Sequence, residues 1–163
     1  MGYVAQTIMP EDPAQALQMT KEALRLGRET GMSYCGPVLL SIVARLTPRG
    51  PERASALTEG EQLLAAGCVS HSYFEFYGNA IEAGLEDRDW PSVRKYADGL
   101  QSYTSGEPLP WTDMLIRRAR LLADAGEKAL SGQTRAGLEA VREECRRMKA
   151  GLALVAVERV LSG

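Results

Sequence analysis

Apolar residues recur along this chain at steps of three and four, broken at near-regular intervals by glycine and proline. That spacing is the mark of amphipathic helices. The clearest stretch lies between Gly67 and Gly106. It predicts a helix over 71–85, a turn over 86–91, a second helix over 92–103, and a stop at Ser105-Gly106-Glu107-Pro108. On the first helix the pattern buries Phe74, Tyr77, Ile81 and Leu85, and exposes Glu75, Asn79, Glu82 and Glu86. On the second it buries Val93, Tyr96, Ala97, Leu100 and Tyr103.

The rest of the chain repeats this hairpin. Residues 1–11 read as an N-terminal extension or a truncated preceding helix, as if cut from something longer. Glu11-Asp12-Pro13 starts a helix, because acids favour the positive end of the macrodipole and Pro loses no needed hydrogen bond in the first turn. Its expected stripe is Ala16, Leu17, Ala23, Leu24 and Leu26, ending at Gly31. Ser33 is the expected cap of the next helix, which buries Cys35, Val38, Leu39, Ile42, Val43 and Leu46. Thr47-Pro48-Arg49-Gly50-Pro51 is a turn. A helix over 52–66 buries Ala56, Leu57, Leu63 and Leu64. After Pro110 a helix over 111–125 buries Trp111, Leu115, Ala119 and Leu122, and Gly126 breaks it. A helix over 134–148 uses Leu138, Val141, Cys145 and Met148. Residues 150–163 form a closing helix. No segment alternates with a period of two, so the fold class is all-α.

The hairpins keep a register. Pro51 and Pro91 lie 40 positions apart, and the same shift takes Leu17 to Leu57 to Ala97. A shift of 38 takes Cys35 to Tyr73 to Trp111, and Leu39 to Tyr77 to Leu115. A lone helix pair cannot bury both its faces, whereas stacked pairs share one continuous core. The expected architecture is an α-α superhelix of stacked antiparallel helix pairs over 12–149.

Ala23-Leu24 near the end of a second helix, and the turn at Asp89-Trp90, resemble the tetratricopeptide class. The units are longer than the usual repeat of about 34 residues, and its Trp-Leu-Gly-Tyr set is not reproduced. Three segments, Gly31-Met32-Ser33-Tyr34-Cys35-Gly36-Pro37, residues 59–71 and residues 103–111, resemble the C-terminal repeat region of bacterial class III adenylate/guanylate cyclase proteins. The resemblance covers roughly residues 14–130. It implies a regulatory or scaffolding fragment of a signalling protein. The metal-binding aspartates of such a cyclase, and an ATPase phosphate loop, do not occur in the sequence.

Charge narrows the partners. A net charge of −2 argues against nucleic acid, which calls for a basic stripe. The Arg117-Arg118-Arg120 and Arg142-Arg146-Arg147 clusters read as solvated helix faces. No apolar run approaches the roughly 20 residues of a membrane span, and no signal peptide is visible. Three widely spaced cysteines, Cys35, Cys68 and Cys145, fit reduced cytoplasmic thiols.

No catalytic set emerges. A Cys68/His71 nucleophile pair needs convergence and a third, orienting group; the simpler reading is a histidine at a helix start beside a loop thiol. Ser92-Val93-Arg94-Lys95 matches a Ser-x-x-Lys pattern without its partner motifs. Glu75, Glu82, Asp87 and Asp89 fall on a helix face and in a turn, where solvation is the default, and no cofactor or metal is expected. In tetratricopeptide-like repeats the first helices line the concave side. Ser41, Asn79 and Arg117 fall there at 38-residue intervals, with Glu75 and Asp113 beside them and Tyr34, His71 and Phe74 near the edge. The expected function is non-catalytic docking of a protein, a peptide or a neighbouring domain of a parent chain. Self-association through exposed repeat ends is a further expectation. The alternative is a small-ligand sensor with a pocket between the aromatic-rich central helices.

Overall fold

The computed structural model describes residues 2–128 and 130–163, with side chains from residue 4 onward. The described residues form α-helices joined by short turns, with no strand among them. The helices are α1 (Gly2–Ile8), α2 (Pro13–Thr30), α3 (Gly36–Leu46), α4 (Pro51–Ala66), α5 (Ser70–Glu86), α6 (Trp90–Thr104), α7 (Pro110–Glu127), α8 (Gly132–Arg147) and α9 (Gly151–Ser162). They fall into two compact units, Met1–Ala83 and Gly84–Gly163.

Local chemistry sets the helix ends. Proline occupies the first or second position of α2, α3, α4, α6 and α7, where its missing N–H is no loss. Carboxylates of Asp12 and Asp89 accept from the amides of Gln15 at 2.9 Å and Ser92 at 3.3 Å, and Ser131 Oγ accepts from that of Thr134 at 3.1 Å. Such caps satisfy amides that the helix itself leaves without acceptors. Gly31 and Gly67, both at positive φ, stop α2 and α4. At the ends of α5 and α8 the left-handed slot is filled by Arg88 (φ 54) and Lys149 (φ 57). The following amides, of Asp89 and Ala150, reach back to the carbonyls of Gly84 and Cys145, which is the Schellman closure.

In the first unit α3 is the central element. Every residue from 36 to 44 is buried, because the helix is apolar on nearly all sides. Leu39, Leu40, Val43 and Ala44 pack with Leu24 of α2 and Ala56 of α4. Each fully buried leucine of this kind contributes about 1.5–3 kcal/mol. Gly60 lets α4 approach α5 closely: a Cβ there would lie 2.2 Å from Cε2 of Phe76. Buried Arg53 donates from Nε to the Thr47 carbonyl at 2.8 Å, holding the α3–α4 turn.

In the second unit Met114 and Leu122 of α7, Leu138, Val141 and Cys145 of α8, and Ala150, Ala153 and Val157 close to or on α9 form the core. Val93, Tyr96, Ala97 and Leu100 of α6 are buried, as the sequence pattern predicts. Arg118 has no exposed surface, and its Nε donates to the Ala153 carbonyl of α9 at 2.7 Å.

Several expectations are corrected. α3 starts at Gly36 after a turn over 33–35, and Cys35, not Ser33, takes the cap position, without a side-chain bond. α7 continues through Gly126 to Glu127. Phe76, not Phe74 or Tyr77, is the fully buried aromatic of α5, because the Gly60 notch receives it. Phe74 and Tyr77 of the same helix are half-buried. Asn79 is buried rather than exposed. Trp111, Tyr103, Leu26 and Met148 are exposed. At the start of α7 the buried positions are Thr112 and Met114, which turns Trp111 outward. Arg118 belongs to the interior, not to a solvated face.

Candidate functional site

The candidate residues of the first unit lie on α3, in the turn just before it, and on α5. Asn79 Nδ2 donates to Ser41 Oγ at 3.1 Å, and both side chains are buried. Arg45 Nη1 approaches Asn79 Oδ1 at 3.5 Å. Ser72 Oγ donates to the Tyr34 carbonyl at 3.1 Å. Both bonds to α5 join residues 38 positions apart. The register read from the sequence is therefore a physical contact between these parts of the chain.

Around this polar pairing lie groups more open to solvent. Tyr34 is 65% exposed and meets the His71 ring edge-on, with centroids 5.2 Å apart. His71 and Phe74 are half-buried. Glu75, also half-buried, accepts from Gln6 Nε2 at 2.8 Å. Ser41 and Asn79 are thus bonded to each other in the interior, while Tyr34, His71, Phe74 and Glu75 keep surface open to solvent.

In the second unit Asp113 and Arg117 are exposed on α7, and Arg117 is paired with Glu144 of α8. By the same 38-residue shift Arg117 follows Asn79 in sequence.

The discounted chemistry takes other partners. Cys68 Sγ donates to the Leu63 carbonyl at 3.2 Å, and burial pushes this thiol above its ordinary value. His71 faces Tyr34. Lys95 lies over the Tyr96 ring, 5.0 Å from its centroid. The cysteines are unpaired, and no group of three or more His, Cys, Asp or Glu among the described residues is placed to hold a metal ion. No described helix is long and apolar enough to cross a membrane.

The chain matches no family model, curated protein or solved structure.

The first unit has a second feature, at its other helices. A cleft of about 580 Å³ opens between α2 and α4 over α3, floored by Leu24, Leu40, Val43 and Ala56. Two ion pairs bridge its walls, Lys21 to Glu52 at 2.7 Å and Arg28 to Glu59 at 2.9 Å. Both pairs span 31 positions, which is the one sequence signal that points to them. They are half-exposed or more on at least one side, so each contributes about 1 kcal/mol or less.

Proposed function

We propose that this chain is a non-catalytic, tetratricopeptide-like docking and regulatory module. In this reading its helix pairs follow one another as a superhelix, and a peptide, a helix or a neighbouring domain of a parent chain lies against the first helices of the pairs. The observation that carries it is the pairing of Asn79 with Ser41, because a 38-residue repeat in sequence is there a side-chain bond. Where residues at the repeat spacing bond to each other, the open positions beside them are left to meet a partner. Tyr34, His71, Phe74 and Glu75 are those positions on the first unit, and Asp113 and Arg117 on the second. The resemblance of residues 31–37, 59–71 and 103–111 to cyclase repeat regions supports a cytoplasmic signalling context.

A second reading, a small-ligand sensor, draws on the cleft between α2 and α4, which holds no aromatic residue and lies away from the aromatic-rich central helices where the sequence pattern put the pocket. Pockets for small ligands are mainly apolar with few polar anchors. Thermal-shift screening separates the two, since any ligand that binds only the folded chain raises its melting temperature. The docking reading predicts shifts with peptides of a displayed library and none with a metabolite panel. Shifts with metabolites alone would contradict it.

A further inference from the structure

We infer that the cleft between α2 and α4 is a second docking groove, and that its occupant is an amphipathic helix of a partner protein with acids along one flank and bases along the other. This goes beyond the docking reading, which concerns α3 and α5, and is tested apart from it.

α2 and α4 each pack on α3. Lys21 pairs with Glu52 and Arg28 with Glu59, so both helices advance by seven positions from one pair to the next. They therefore run parallel and level, and the two pairs stand about two turns, or roughly 10 Å, apart. One spacing recurs on both walls of the cleft. Lys21, Leu24, Arg25 and Arg28 line it from α2, and Glu52, Ser55, Ala56 and Glu59 from α4. Each set falls at i, i+3, i+4 and i+7, the row that a helix presents to another lying alongside it. A third helix laid along this gap sets its apolar stripe over Leu24, Leu40, Val43 and Ala56, which is how an amphipathic helix enters a groove.

Charge selects the flanks. The α2 edge presents the cations of Lys21 and Arg28, and the α4 edge the anions of Glu52 and Glu59. Arg25, between the two cations, is held by Glu22 and Glu29 of its own helix at 2.8 and 2.6 Å. The pairs across the cleft are open to solvent, with side chains 49% and 57% exposed in one and 56% and 36% in the other. Exposed pairs of this kind hold little. An incoming helix exchanges each of them for two, its acid meeting the cation and its base the anion. A helix acidic on both flanks would instead set like charges against Glu52 and Glu59, and one basic on both flanks against Lys21 and Arg28. The floor residues are buried, so their outer edges alone meet the occupant. The flank charges therefore decide which helix binds.

The test uses the full chain and three labelled synthetic helices with the same leucine stripe. One carries glutamate on one flank and lysine on the other, one glutamate on both, and one lysine on both. Fluorescence anisotropy is expected to show the mixed helix bound about tenfold or more tighter than either uniform helix. A Lys21→Glu/Arg28→Glu chain, shown folded by circular dichroism, has two acidic walls. It is expected to favour the lysine helix over the mixed one by about tenfold. Lys128→Glu/Arg135→Glu, the same charge change in the second unit, is expected to keep the wild-type order. Should the α2 variant not fold, Glu52→Lys/Glu59→Lys takes its place, with the glutamate helix favoured. Equal binding of the three helices, no binding of the mixed one, or the wild-type order in the wall variant overturns the proposal. With no helix bound, a metabolite-induced rise in melting temperature lost in the wall variant gives the cleft to a small ligand, and a dimer lost in that variant gives it to a second copy. Glu75→Gln is expected to leave binding of the mixed helix unchanged. Weaker binding there would place that helix on α5 and overturn the proposal while leaving the docking reading intact.

Discussion

Asn79 and Ser41 stand 38 positions apart in the chain, and the amide of one donates to the hydroxyl of the other at 3.1 Å inside the first unit. Removing either side chain breaks this bond between α3 and α5 and leaves Ser41 Oγ with the Val38 carbonyl at 2.8 Å or Asn79 Oδ1 with Arg45 Nη1 at 3.5 Å. Asn79→Ala and Ser41→Ala should each destabilise the fold by about 1–3 kcal/mol, and the double variant by less than the sum. Urea unfolding of the four chains of this cycle measures the coupling. Strict additivity would mean that the pair does not act as a unit.

Gly60 faces Phe76 at a distance that admits no Cβ, with the nearest ring carbon 2.2 Å from where one would sit. Gly60→Ala should cost about 1–3 kcal/mol through overpacking. The smaller Phe76→Leu side chain, combined with it, should recover part of that loss. Denaturant midpoints of the single and double variants are the readout, and a Gly60→Ala chain as stable as wild type would refute the close contact.

Lys149 closes α8 at φ 57, a left-handed conformation that strains any residue with a Cβ. Lys149→Gly should therefore stabilise the second unit by about 0.5–1 kcal/mol, net of glycine's larger unfolded-state entropy. A lowered melting temperature would show that the lysine side chain contributes more than the strain removes.

Much of this arrangement was legible in the sequence, and the limits have physical causes. Most helix ends and turns followed from proline and glycine placement, which acts locally, and Asp12 and Asp89 cap as their positions imply. The faces of amphipathic helices that have one wet side, such as α6, were also readable. The phase failed where a helix is packed on more than one side. α5 buries Phe76, Ala80 and Ala83 along with Ile81, and no single stripe describes that. Arg118 escaped for a related reason: a charged residue reads as solvent-facing unless its distant acceptor, here the Ala153 carbonyl, is known. The candidate surface was partly readable. The 38-residue spacing located Ser41 and Asn79, but spacing alone cannot tell a buried pair from an offered one. Gln6, 69 positions from Glu75, left no local trace.

Alkaline pH should weaken the fold. Burial raises the thiols of Cys68 and Cys145 above the ordinary value of 9.0, and burial together with Glu61 and Tyr73 raises Tyr77. A folded state that holds its protons more tightly than the unfolded chain is fully stabilised by them below the ordinary value. That contribution is lost as pH rises past 9.0 toward the raised values. The melting temperature should fall as pH rises past 9.0, and Cys145→Ala should flatten the decline. A flat profile for the wild-type chain would contradict the raised values.

The central claim is that Glu75 and its neighbours on α5 receive a partner. The most direct measurement is a fluorescence-anisotropy titration of a library-selected peptide against the wild-type and Glu75→Gln chains, both checked for equal melting temperature. Binding to Glu75→Gln is expected to be about tenfold weaker, or about 1.4 kcal/mol, in the range for a lost charge-assisted bond. Equal affinity for the two chains would contradict the claim.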